Sequence, residues 1–210
     1  YRRKKMKIKT LLLGNMQTNG YVVSDENHHC LIIDPGANGK KVVHYLTENE
    51  LVPEAVLLTH GHFDHIGAVD YLYEHYHCPI YLHQDDLEML DNPQLNLSVY
   101  ENPFTVKAPV QSSHEEMKFG DFDVQWLHLP GHCPGSSMIY LKDENIIFSG
   151  DVLFKGSIGR FDFPNSSKYE TIESINKIKE YDFDAVIYPG HGPNSTLSEE
   201  RLNNPYLKKS

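Results

Sequence analysis

Four side chains that bind metal ions when deprotonated fall within six residues of this chain: His60, His62, Asp64 and His65. Imidazole and carboxylate ligands suit zinc, iron or manganese. His60 and His62 are two residues apart, so in extended chain they face the same way and can bind one ion. Asp64 and His65 follow Phe63, where a helical pattern begins and turns them towards a second position. This stretch therefore predicts half of a site for two metal ions.

Buried strands are expected to position these ligands. Residues 55–58 are apolar and partly β-branched, which is typical of a strand, and they end just before the histidines. Three later segments repeat the design, since an apolar strand runs into a turn that presents His132, Asp151 or His191. Open α/β sheets place their chemistry on such loops at the strand ends. The remaining histidines lack this context and are interpreted as surface or satisfied groups: His28, His29, His44, His75, His77, His83, His114 and His128.

In their order along the chain, these motifs resemble the metallo-β-lactamase fold superfamily and, within it, the glyoxalase II-like hydrolases. The resemblance covers nearly the whole chain, in segments 33–36, 59–65, 130–132, 149–151, 157–160, 189–193 and 204–205. It implies an α/β (α+β) fold in the form of a four-layer αββα sandwich. It also implies two metal sites, with His60, His62 and His132 holding the first ion, Asp64, His65 and His191 holding the second, and Asp151 bridging both.

Such a site predicts a metal-dependent hydrolase. Two divalent ions, zinc or else iron or manganese, lower the pKa of a shared water, so that hydroxide forms near neutral pH. They also polarise a carbonyl and take up charge as a tetrahedral intermediate forms. We expect a small thioester as substrate, as in hydroxyacyl-thiol hydrolysis, with Asp64 as the catalytic residue that orients the hydroxide. The acyl group and the thiol carrier stay open.

The chain departs from the glyoxalase II pattern around the substrate. Those enzymes grip glutathione with basic residues of a C-terminal helical domain, whereas here only a short helical segment, residues 197–202, precedes the end at Ser210. We therefore expect a single domain, residues 1–210, and a different or more loosely held thiol carrier. Arg160 stands where the family carries a basic residue and is the candidate for substrate binding, or else a surface residue paired with Asp162 or Asp151. Asp162 replaces the tyrosine that many of those enzymes have.

Several alternatives use the same residues. Cys133, in place of the usual Thr or Ser, is either a further metal ligand or a small neighbour of the ligands. A persulfide dioxygenase would bind a single iron through His60, His132 and Asp151. A lactonase or a β-lactamase would use the dinuclear site, and a binding module without catalysis is a more distant alternative.

The amino-acid composition argues against some classes of binding partner and favours one cellular compartment. The formal net charge is −10 and no extended basic face is evident, which argues against nucleic acid and against the ribonuclease branch of this fold. Three cysteines without framework spacing fit a reducing compartment, and neither a signal peptide nor a stretch of membrane length is visible, so we expect a cytoplasmic protein. The oligomeric state stays open. Because the chain begins at Tyr1 and Met6 precedes the first expected strand, residues 1–5 are hypothesised to be foreign or trimmed sequence.

The patterns predict two β-rich halves, each ending in helices, that pack as two sheets with helices outside. Strands are expected at residues 8–13, 21–24, 30–33, 55–58, 80–82, near 117, and at 124–129, 138–141, 146–149 and 185–188. Helices are expected at 40–49, after residue 63, near 85–90, at 169–179 and around 197–202. The proline-containing segment 92–113 shows little periodicity and is either a lid over the site or a surface excursion.

Overall fold

The computed structural model describes residues 5–208. The hypothesis about the first five residues therefore falls outside the described part of the chain, except for Lys5. The strands are β1 (Lys7–Leu13), β2 (Thr18–Ser24), β3 (His29–Ile33), β4 (Val52–Leu57), β5 (Ile80–Leu82), β6 (Gln111–Ser112), β7 (Glu116–Phe119), β8 (Phe122–His128), β9 (Ser137–Leu141), β10 (Ile146–Gly150), β11 (Leu153–Phe154), β12 (Ser157–Ile158), β13 (Val186–Pro189) and β14 (Ser195–Thr196). The α-helices are α1 (Gly39–Glu48), α2 (Phe63–Ile66), α3 (Val69–Tyr76), α4 (Lys168–Lys179) and α5 (Leu197–Asn203).

Two six-stranded sheets form the centre of the fold. One has the order β1-β2-β3-β4-β5-β6 and the other the order β14-β13-β10-β9-β8-β7, while β11 and β12 form a small hairpin. In the first sheet β3 pairs in parallel with β4, and in the second β10 pairs in parallel with β13. The carboxyl ends of these parallel neighbours reach one edge of each sheet, which is where the predicted ligands follow.

Alternating side chains build four layers. Successive residues of a strand point to opposite faces, so Leu31 and Ile33 of β3 pack between the sheets while Ile32 packs towards the helices. Phe148 of the second sheet joins the same central core. Helices α1 and α3 cover the outer face of the first sheet, whereas Ile178 of α4 lies in the core on the outer face of the second. The predicted sandwich of two sheets flanked by helices is confirmed.

The structure refines several details of the sequence-based expectations. The helix expected at residues 85–90 is a 3₁₀ helix, Gln84–Asp91, and the His83 side chain accepts a hydrogen bond from the Asp85 N–H at its start. The helix after Phe63 is broken between α2 and α3, where the Ala68 N–H donates to the Pro35 carbonyl instead of continuing the helix. The strand expected to end at Leu58 ends at Leu57, and β2 begins three residues earlier than expected, at Thr18.

The segment 92–113 is less irregular than its composition suggested. Its last residues form β6, and Asn96 is fully buried, with its side-chain amide donating to the Met89 and Phe104 carbonyls. The Asn96 carbonyl accepts a hydrogen bond from the Phe63 N–H, which ties the segment to the start of α2. A lid role for the part between these anchors stays a prediction. None of the helices between residues 5 and 208 is long and apolar enough to span a bilayer.

Candidate metal centre

The seven predicted ligands converge at the carboxyl ends of the central strands. His60 and His62 follow β4, Asp151 follows β10, His191 follows β13, and His132 lies on the β8–β9 connection. His62 is the last extended residue before α2, so the start of that helix separates it from Asp64 and His65. The structure groups the candidate ligands into two clusters, and within each cluster the donor atoms lie within 4.8 Å of one another. The first cluster consists of His60, His62, His132 and Cys133. The second cluster consists of Asp64, His65, Asp151 and His191.

The Asp151 carboxylate lies between the two clusters. Its Oδ2 atom is 3.6 Å from His60 Nε2 and 3.4 Å from His132 Nε2, both in the first cluster. Its Oδ1 atom is 3.2 Å from His65 Nε2 and 3.7 Å from His191 Nε2, both in the second. One oxygen therefore faces the histidines of each cluster, so that Asp151 could contribute to holding an ion on either side.

The donor atoms that face inward fit metal ions. Within residues 5–208, His60 Nε2, His65 Nε2, His132 Nε2 and Asp151 Oδ1 are buried and have no hydrogen-bond partner. Leaving a buried polar atom unpaired costs about 1–3 kcal/mol, so four of them converging on one place call for a bound group. Imidazole and carboxylate donors are those preferred by zinc, iron and manganese.

A hydrogen-bonded network behind the ligands sets their orientation. His65 Nδ1 lies 2.9 Å from Asp34 Oδ2, and that oxygen also accepts from Thr59 Oγ1 at 2.6 Å. Because the Thr59 hydroxyl donates to Asp34, its oxygen accepts a hydrogen bond from His60 Nδ1, which lies 3.1 Å away. Because Nδ1 is the donor in both histidines, Nε2 faces the centre and is the nitrogen that can bind a metal once it is free of a proton. Asp34 thus orients one ligand of each cluster.

The two other histidines of the first cluster are oriented differently. His132 Nδ1 donates to the backbone carbonyl of Arg160 at 2.6 Å, so its Nε2 atom faces inward. Both ring nitrogens of His62 lie near the buried Cys133 Sγ, with Nε2 at 3.3 Å and Nδ1 at 3.7 Å. Burial raises the pKa of Cys133 well above its ordinary value, which keeps it a thiol in the metal-free protein. Cys133 lies among the ligands of the first cluster, and its role as a further metal ligand stays a prediction.

The histidines of the two clusters differ in their pKa values. Burial lowers the pKa of His60 well below its ordinary value and that of His62 to about 3, so both imidazoles are neutral. Burial acts in the same direction on His65, but the carboxylates of Asp151, Asp64 and Asp34 outweigh it and raise the pKa of His65 well above its ordinary value. Burial also lowers the pKa of His191, but its hydrogen bond to Asp64 and the charges of Asp151 and Asp64 together outweigh it, so that the pKa of His191 is raised. In the metal-free protein the second cluster therefore holds protons that His60 and His62 do not.

Metal binding should release protons mainly from the second cluster. A metal ion needs neutral imidazoles, so His65 and His191 must lose protons when the pH is below their raised pKa values, whereas His60 and His62 are already neutral. Affinity at the second cluster should consequently fall as pH falls through those values. Zinc titration calorimetry in buffers of different ionisation enthalpy counts the protons. We expect greater release in a His62→Ala variant, which keeps the second cluster, than in a His191→Ala variant, and equal release would contradict the assignment.

Arg160 lies at the rim with its charge already paired. Its guanidinium makes two hydrogen bonds of 2.9 Å to the Asp162 carboxylate and lies 4.6 Å from the centre of the Phe163 ring. Of the two pairings foreseen from the sequence, the one with Asp162 is present in the structure. Phe163 had not been singled out, yet its ring contacts those of His62 and His132 edge-on and forms a wall of the site.

Sequence reasoning gave no role to several residues that shape the site. Asp34 had a usable signal, because it follows β3 just as Asp151 follows β10. Asp86 is also buried, and its carboxylate accepts hydrogen bonds from the backbone of both ligand loops, yet its surroundings in the sequence give no sign of this role.

His83 and His128 stack with ring centroids 3.7 Å apart near Asp85, and each has a hydrogen-bond partner, as expected for satisfied groups.

An αββα sandwich with clusters of histidine and aspartate at the strand ends defines the metallo-β-lactamase fold class. The chain belongs to the metallo-β-lactamase superfamily, whose family model matches residues 13–191. Among curated relatives, the probable metallo-hydrolase YqgX of Bacillus subtilis is 39% identical over 96% of this chain and 98% of its own length. The hydroxyacylglutathione hydrolase GloC of Haemophilus influenzae is 32% identical over 96% of this chain and 98% of its own.

Solved structures agree with the family assignment. The crystal structure of the BLEG-1 B3 metallo-β-lactamase superposes with a TM-score of 0.91 and 37% identity, covering 97% of this chain and 100% of that one. TTHA1623, crystallised in a di-iron-bound form, superposes with a TM-score of 0.85 and 37% identity, covering 95% of this chain and 100% of that one. The chain therefore has the metallo-β-lactamase fold, and its candidate metal ligands form two clusters within that fold.

Proposed function

We propose that this protein is a metal-dependent hydrolase of thioesters that uses two divalent ions, zinc or else iron or manganese. The observation that carries the proposal is the pair of clusters sharing Asp151, with unpaired buried donor atoms in both. When bound there, the ions supply a hydroxide nucleophile near neutral pH and polarise the substrate carbonyl. The similarity to a hydroxyacylglutathione hydrolase and to a protein seen in di-iron form supports this chemistry and this stoichiometry.

The residues of the chain contribute positioning and exclusion of water. In the metal-free protein Asp64 accepts hydrogen bonds from His191 Nε2 at 3.0 Å and Thr18 Oγ1 at 3.3 Å. The bond from Thr18 is the one that can persist when His191 gives up its proton to a metal, and it holds the carboxylate beside the second cluster. We assign Asp64 the role of orienting the attacking hydroxide, since a fixed acceptor holds a nucleophile without reorganisation during the reaction. Phe163 covers the side of the first cluster and excludes water there.

The rim favours a thiol carrier without strong negative charge. Glutathione carries carboxylates, and an enzyme that binds it tightly needs unpaired cations near the site. Here the Arg160 guanidinium is held by Asp162, so its charge is neutralised where a carrier would approach. We therefore propose that the carrier is small or weakly charged and that Arg160 contributes mainly shape.

A panel of thioesters tests this function and its specificity together. We expect the zinc-loaded protein to hydrolyse a neutral N-acetylcysteamine thioester at least as efficiently as the glutathione thioester with the same acyl group, compared by kcat/KM. An Asp162→Asn variant frees Arg160 and should raise kcat/KM for the glutathione thioester several-fold through KM, because the freed guanidinium can then pair with a carboxylate of glutathione. Absence of hydrolysis across the panel would sink the proposed function, whereas a strong glutathione preference in the unmodified protein would sink only the carrier argument.

A β-lactamase is the second candidate. It is favoured by the close superposition on BLEG-1, a B3 metallo-β-lactamase, over 97% of this chain. Opening a β-lactam ring needs the same nucleophile and the same polarised carbonyl as cleavage of a thioester. A chromogenic cephalosporin assayed beside the thioesters separates the two, and the activity with the larger kcat/KM identifies the function.

A further inference from the structure

A buried carboxylate outside both clusters joins the loops that carry the first cluster. Asp86, in the 3₁₀ segment after β5, is fully buried. Its Oδ2 atom accepts a hydrogen bond from the Gly61 N–H at 3.0 Å, and its Oδ1 atom accepts one from the Gly135 N–H at 2.6 Å. Both carboxylate oxygens are therefore bonded to backbone, one to each loop.

The two glycines lie beside the ligands of the first cluster. Gly61 lies between His60 and His62, and Gly135 is three residues beyond His132. The first loop extends from the first sheet and the second connects β8 and β9 of the second sheet. A single side chain thus spans from one sheet to the other at the point where three histidines must meet.

The hydrogen bond between the Gly135 N–H and Asp86 requires glycine at position 135. A Cβ atom there would lie 2.7 Å from Asp86 Cγ and 2.9 Å from Asp86 Cβ, well inside van der Waals contact. At Gly61 the constraint is milder, since a Cβ atom would lie 3.0 Å from Met89 Cβ. The carboxylate and the loop with Gly135 fit each other so closely that a change on either side must move the loop.

We propose that Asp86 is a positioning residue for the first metal site: by holding both loops it sets the distance of His132 from His60 and His62. It touches neither metal nor substrate and acts through the two glycine N–H groups. The second cluster has no such link to Asp86 and should be independent of it. This inference rests on the proposed dinuclear centre.

The test measures zinc affinity at each cluster by competition with a chromophoric chelator. A His191→Ala background isolates the first cluster and a His62→Ala background isolates the second. Asp86→Asn places an amide NH₂ against one of the two N–H donors, so it should weaken zinc binding at the first cluster by about 10–100-fold, the usual effect of losing a supporting partner of a ligand. The same substitution should leave affinity at the second cluster unchanged within about two-fold.

Two further variants make the outcome decisive. Asp85→Asn changes the neighbouring exposed carboxylate and should alter neither affinity. Gly135→Ala displaces the loop without changing Asp86 and should reproduce the selective loss, which keeps the test available if Asp86→Asn does not fold. Equal weakening of both clusters, or of neither, overturns the role of Asp86. Failure of the unmodified protein to bind zinc would overturn the proposed centre as well, so the two failures are distinguishable.

Discussion

An Asp151→Asn variant should bind neither metal ion tightly and should lose thioester hydrolysis by about 10³-fold, the upper range for removing one group that stabilises charge in an active site. The reason is geometric: Oδ1 and Oδ2 face different clusters, so one substitution changes both. The amide replaces one of these oxygens by an NH₂ group that cannot bind a cation, and it removes a negative charge from the space between the ions. Metal content after gel filtration and kcat/KM on the best thioester measure the two effects.

The control for this variant is Asp91→Asn, which changes an exposed carboxylate and should keep both metal content and activity. The circular dichroism spectrum of the Asp151→Asn variant should match that of the unmodified protein, because the core clusters do not depend on Asp151. An Asp151→Asn protein that retained two ions with full activity would exclude the bridging role.

The second large effect is expected at Asp34. Its carboxylate accepts from the Thr59 N–H at 2.8 Å, the Thr59 hydroxyl at 2.6 Å and His65 Nδ1 at 2.9 Å, all buried. An Asp34→Ala variant leaves these three buried donors without an acceptor. Each buried unpaired group costs about 1–3 kcal/mol, so the free energy of unfolding should fall by about 3 kcal/mol or more. Metal affinity should fall at both clusters, because His60 is oriented through Thr59 and His65 directly.

Urea unfolding of the metal-free protein measures this loss apart from metal binding. Asp34 has a φ of 51°, in the left-handed region that asparagine tolerates better than alanine. Asp34→Asn is therefore the matched variant, since it keeps the backbone conformation and one acceptor oxygen, and it should be destabilised less than Asp34→Ala. Stability unchanged in Asp34→Ala would show that the network does not support the site.

The parts of the site that could be predicted from the sequence are those that obey local rules. His60 and His62 share one face because of their spacing, and Asp151 and His191 follow apolar strands that must end at one sheet edge. The layered fold could be predicted from equally local patterns, since the continuous apolar runs of β3 and β10 indicate that both faces of each sheet are covered.

The supporting contacts could not be predicted, because they join residues far apart in sequence. Asp86 bonds the N–H of Gly135 from 49 positions away, and Asp34 bonds His65 from 31 positions away. Neither contact follows from periodicity or a motif, since the first depends on how loops of the two sheets pack and the second on how two loops of the first sheet pack. The helix expected at residues 85–90 is present as a 3₁₀ helix, Gln84–Asp91, but the burial of Asp86 within it could not be predicted, since it depends on contacts with loops distant in sequence.

The most direct test of the central claim is the number of metal ions per chain. Elemental mass spectrometry on the purified protein, with zinc, iron and manganese counted together, should give close to two ions. It should give close to two again after the metal-free protein is reloaded with zinc and passed through a desalting column. A single iron per chain would contradict the dinuclear hydrolase and favour oxygen chemistry on a persulfide at His60, His132 and Asp151. No bound metal at all would remove the basis for catalysis at these clusters.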